Sequence, residues 1–115
     1  MYHSGGEMFA VIYRNYVKKG MESEYQKYWE IVATYFVRDR GAIGSTLHRS
    51  EEGYWVAYSR WPDRQTREAS WPKMGRETNP NLPLHILTSI TGLMGCLDET
   101  VKFPEITMDL ISEVN

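Results

Sequence analysis

A chain of 115 residues, 42 % apolar and carrying a formal charge of −2, is long enough for one domain with a modest core. No run of Lys and Arg supplies the footprint that nucleic acid needs, and no apolar stretch reaches membrane-spanning length. Four Trp and eight Tyr are more than so small a core requires, which points to a ligand pocket or a subunit interface.

Residues 1–7 are polar and glycine-containing, and a flexible N-terminus is expected there, ahead of a single domain over 8–115. The chain does not open on a charged-then-apolar leader, and its one cysteine, Cys96, excludes an internal disulfide. Both features fit a cytoplasmic protein. Cys96 has no acid–base partner near it in sequence, so it is expected as a small buried residue.

Met8–Val17 alternates as a strand, with Phe9, Val11, Tyr13 and Asn15 on one face and Ala10, Ile12, Arg14 and Tyr16 on the other. Met21–Arg40 follows as a helix. Its stripe is Met21, Tyr25, Tyr28, Trp29, Val32, Tyr35 and Phe36, its acids lie in the first turn and its arginines in the last. Gly41 fits a left-handed cap. Ala42–Ser50 and Tyr54–Trp61 read as a hairpin, with Gly53 in its turn. Pro62 stops the second of these strands, and Asp63 is placed to cap a short helix from Arg64 to Trp71. Pro72 ends that helix, and "KMGRETNPNLP" is a loop. A helix over Leu84–Leu97 comes next, weakened by Gly92 and Gly95 at about 1 kcal/mol each. Asp98 and Glu99 oppose its dipole and should end it. Glu105–Ser112 is the last strand.

This order predicts an α+β, ferredoxin-like βαββαβ domain with helices on one face of a single antiparallel sheet. The other face should then be polar in a monomer. Here it is not, because both faces of the first strand and of Tyr54–Trp61 are apolar or aromatic. A second copy of the chain is the expected cover. Burying roughly five large side chains per subunit gives on the order of 10 kcal/mol gross.

The segments "FAVIYRNYVKKGMESEYQKYW", "GAIGSTLHRSEEGYWVAYSRWPD" and "EITMDLI" resemble the antibiotic-biosynthesis-monooxygenase (ABM) family of the dimeric α/β-barrel superfamily, over nearly all of the chain after residue 7. The resemblance implies a homodimer with an aromatic-lined pocket between helices and sheet. It also implies cofactor-independent monooxygenation of an aromatic or polyphenolic small molecule, with no cofactor. Haem binding or degradation is the alternative within that family, and a non-catalytic small-molecule-binding dimer is a further one. The haem-degrading branch uses an Asn on the first strand, a Trp on the second helix and a His after it, for which this chain offers Asn15, Trp71 and His85. Asn15 stands two residues nearer the strand-ending glycine than in that branch, and Tyr13 falls at the matching place. The catalytic candidates are therefore Asn15, Trp71 and His85, and the candidate substrate contacts are Tyr13, Arg14, His48, Tyr58, Trp61 and Arg76.

For each of these a plainer reading stands beside the functional one. Trp71 either anchors the core or walls a pocket, and Trp61 closes its strand by packing. Asn15 meets a neighbouring loop or orients a substrate oxygen. His48 lies on the surface at the hairpin end, and His85 is either exposed or an acid–base group. Arg14 pairs with a carboxylate across the dimer or holds an anion. No metal-ligand cluster, phosphate loop, nucleophile turn or dinucleotide fingerprint is present in the sequence.

Overall fold

A computed structural model describes residues 8–71 and 81–115. The N-terminus 1–7, expected to be flexible, and most of the "KMGRETNPNLP" loop, with Arg76, lie outside the described residues.

The elements run β1 (Phe9–Asn15), α1 (Glu22–Asp39), β2 (Gly44–Arg49), β3 (Trp55–Trp61), α2 (Arg64–Ser70), α3 (Leu84–Gly95) and β4 (Ile106–Asp109). The strands form one sheet in the order β2-β3-β1-β4, and every neighbouring pair is antiparallel. This is the expected ferredoxin-like plan. Gly41 and Gly53 both take positive φ, 87° and 99°, where the helix end and the hairpin turn require it.

Register puts Phe9 opposite Trp61, Val11 opposite Ser59 and Tyr13 opposite Ala57, so these share a face. Phe9, Val11 and Trp61 join Val32 and Phe36 of α1 and Ile86 of α3 in the main core cluster. The helices therefore lie on the odd-numbered face of β1. A second cluster of Tyr25, Cys96 and Leu97 takes in Trp55 and Leu47 at the far end of the same face. Cys96 is fully buried, its thiol donates to the Gly92 carbonyl at 3.3 Å, and burial pushes its pKa up.

Several elements are shorter than sequence periodicity suggests. β1 ends at Asn15, and beyond it only an isolated bridge from Val17 to Leu97 continues the pairing. α3 stops at Gly95, after which the Cys96 carbonyl turns to accept from the Lys18 N–H at 2.8 Å. β4 is four residues long and pairs with Phe9 to Ile12 of β1. Beyond it Ile111 and Val114 are exposed.

The opposite face carries Ile12 and Arg14 of β1, Val56, Tyr58 and Arg60 of β3, and Ile106 and Met108 of β4. No helix among the described residues packs on it. Phe103 reaches over one end, with its ring centroid 5.9 Å from Tyr16 and 5.4 Å from Tyr54.

Candidate functional site

The site is assembled from α2 upward. Asp63 caps this short helix through Oδ1, which accepts the Thr66 N–H at 2.7 Å. Those hydrogen bonds from Thr66 hold the Asp63 carboxyl below the usual range. Fixing the first turn places Arg67 one turn on and Trp71 one turn further, all on the same side. Trp71 ends the helix, and its N–H donates to the Arg67 carbonyl at 3.0 Å.

The Trp71 ring packs on Phe36 at 4.8 Å between centroids, and on Tyr13 at 5.9 Å with a 35° tilt. The Arg67 side chain is buried beside them. Its Nη2 donates to the Tyr13 hydroxyl at 2.6 Å and to Glu105 Oε1 at 2.7 Å. Four side chains from β1, α2 with its cap and the entry to β4 thus converge.

Electrostatics reinforce the cluster. Burial pushes the Tyr13 phenol up to about 12; the nearby Arg67 charge opposes the rise and Glu105 adds to it. Tyr13 is therefore a protonated hydroxyl at neutral pH. For Arg67, burial opposes the charge, and the Tyr13 oxygen with the Glu105 carboxylate more than offsets this, so its pKa is raised. The group can offer an aromatic wall, a hydroxyl and a fixed cation. Among the described residues no three His, Cys, Asp or Glu side chains are grouped to hold a metal.

The remaining sequence-selected residues are dispersed. Asn15 ends β1 on the same face as Tyr13, opposite Trp55. Trp61 is buried in the core, where its Nε1 donates to Ser59 Oγ at 2.9 Å. Arg14, Tyr58 and His48 are on the opposite face. Arg14 lies over Phe103 at 5.0 Å and donates to the Pro104 carbonyl at 3.4 Å, while its Nε is buried with no partner among the described residues. His48 is exposed, with Nε2 3.0 Å from Thr46 Oγ1. His85 is exposed on an open groove of about 540 Å³ between α1 and α3, beside Tyr35, Asp39 and Lys27. A second groove of about 320 Å³ runs between α1 and β2 along Trp29 and Arg38. Neither Asn15 nor Trp71 lines the groove that His85 lines, so the three residues matched to the haem-degrading pattern do not share it.

Arg67 and Glu105 were not selected from the sequence. "RQTREAS" reads as a solvated helix, and the partners of Arg67 lie 54 and 38 residues away. The spacing of Asp63, Arg67 and Trp71 at every fourth residue was the available signal.

No family model and no curated protein matches this sequence. Solved structures do match in fold. A conserved protein from Methanosarcina mazei superposes with a TM-score of 0.69 at 14 % identity, covering 92 % of this chain and 95 % of the other. A Nitrosomonas europaea protein provisionally assigned as an antibiotic biosynthesis monooxygenase gives 0.65 at 16 %, covering 97 % and 95 %. SnoaB of Streptomyces nogalater, described as a cofactor-independent oxygenase, gives 0.63 at 15 %, covering 95 % and 96 %. The chain has the fold of these proteins, and the ABM resemblance holds at that level.

Proposed function

We propose that this chain is a cofactor-independent oxygenase of ABM type that acts on an aromatic, phenolic small molecule and works as a homodimer. The observation that carries the reading is the Trp71–Tyr13 ring pair held against a buried arginine. A flat substrate can stack on Trp71. Its ring hydroxyl gives its proton to solvent, and the electron-rich anion left behind can react with O₂. The protonated Tyr13 hydroxyl, held by Arg67 behind it, can donate to that anion where it forms. Asn15, on the same sheet face, is the further oxygen-orienting group, and Arg76 is a second anion holder. His85 would serve as the acid–base group only if the substrate reaches from the sheet to the α1–α3 groove. The fold shared with SnoaB supports the reaction class. The homodimer is supported by the apolar sheet face that no helix among the described residues covers.

Oxygen uptake with anthrone and quinol substrates tests the reading. Wild-type protein is expected to consume O₂, and Trp71→Ala to lose roughly two orders of magnitude through lost positioning. Ligand-induced melting shifts without O₂ consumption would replace the enzyme with a binding module. A Soret band on adding hemin, lost in His85→Ala, would favour haem chemistry instead.

A further inference from the structure

Arg67 is the one charged residue among the described residues that is buried, at 5 % exposure. Taking a guanidinium out of water is costly unless it is paired and hydrogen-bonded, and an apolar side chain would often hold a helix down as well. What an apolar contact cannot do is fix a hydroxyl in space.

Arg67 does this through its guanidinium. Its Nη2 reaches the Tyr13 oxygen at 2.6 Å, occupying a lone pair, and reaches Glu105 at 2.7 Å. Its backbone carbonyl holds the N–H of Trp71 at 3.0 Å. One residue therefore ties both rings of the pair to a single frame. Glu105 is the exposed member, placed where the chain enters β4, whose next residue Ile106 is held against Ile12 of β1. The carboxylate is thus delivered to Arg67 by the sheet.

We propose that Arg67 and Glu105 are positioning residues of the Trp71 site and act through Tyr13: the guanidinium fixes the phenol oxygen beside the Trp71 ring, and the carboxylate holds and neutralises the guanidinium. This rests on the reading of the site given above. The charge logic has a consequence. With Glu105 in place, the cation has its counter-ion and the phenol keeps its proton. Without Glu105, the unpaired guanidinium favours the phenolate, and Tyr13 ionises at lower pH.

The test is a pH titration of protein labelled with ¹³C at the tyrosine ζ-carbon, with Tyr13 assigned by its absence in Tyr13→Phe. In wild type the Tyr13 signal should stay at its protonated position through about pH 10, where an ordinary tyrosine is half ionised. In Glu105→Gln it should ionise about one pH unit lower or more. An unchanged Tyr13 titration in Glu105→Gln overturns the proposal. Should that variant not fold, Arg67→Lys decides. An ammonium lacks the rigid fork, so the Tyr13 resonance should leave its wild-type position, and an unmoved resonance overturns the proposal. The titration needs no turnover. If wild-type protein consumes no O₂, the oxygenase reading falls while the arrangement around Tyr13 is still decided. If it does, Glu105→Gln should lower kcat about tenfold or more and leave KM nearly unchanged.

Discussion

Two glycines on α3 behave oppositely at the scale of single residues. A Cβ on Gly92 would fall 2.6 Å from Tyr28 Cζ and 2.8 Å from both Cε atoms, so the ring must move. Tyr28 is packed against the Tyr25–Cys96 cluster and has little room to do so. A Cβ on Gly95 would meet nothing within 4 Å. Gly92→Ala should therefore destabilise by about 1–2 kcal/mol net, overpacking outweighing helix propensity. Gly95→Ala should stabilise by up to about 1 kcal/mol. Denaturant melts of both, with Gly92→Ala repeated in a Tyr28→Ala background, check this; the cost of the Gly92 change should vanish there. In the sequence the two glycines look alike, each a weak point in a helix. What separates them is Tyr28, which is brought over Gly92 by α1 packing on α3. The Tyr13–Arg67 pair escaped reading for the same reason: a long-range contact sets its meaning, and spacing along the chain does not reveal it.

At the scale of elements, local rules were readable wherever the chemistry was local. The hairpin, its glycine turn, the Pro62 stop and the Asp63 cap all follow from neighbours in sequence. Asp98 is a related case. It opposes the α3 dipole as expected, and its Oδ1 accepts from both the N–H and the hydroxyl of Thr100, at 3.0 and 2.6 Å, making a turn where the helix has ended. Strand lengths were less readable, because β4 pairs over only four residues while its alternation runs on through Ser112. The Asp63 cap carries a pH signature. Its folded pKa is depressed, first by the backbone hydrogen bond from Thr66, so its contribution is complete above the unfolded carboxylate pKa and is lost as pH falls through the folded value. Thermal melts of wild type and Asp63→Ala should differ at pH 7 and converge as pH drops below about 4. Asp63→Asn keeps an acceptor without the charge, and its gap from Asp63→Ala should hold nearly constant across the same range. A gap between wild type and Asp63→Ala that is the same at pH 7 and pH 3 would remove the cap from the account of α2.

At the scale of the whole molecule, the sheet poses a problem that one chain does not solve. Its helix-covered face is a closed core, while on the face without helices Ile12, Val56, Tyr58 and Ile106 are half-buried and Met108 is exposed, with Phe103 over one end. Covering about five such side chains per subunit gives on the order of 10 kcal/mol gross, comparable to the cost of associating two proteins. The balance favours pairing if the two faces fit closely. Sedimentation at micromolar concentration should then show a dimer. Val56→Asp places a carboxylate at the centre of this face, and a two-fold axis brings the face against its own copy, so like charges are buried together. The variant should sediment as a monomer with unchanged helix content, and its Tyr13 titration should stay as in wild type, because that cluster lies within one chain. A wild-type protein that remains monomeric under these conditions would mean that the sheet face tolerates water, and the homodimer would have to be abandoned.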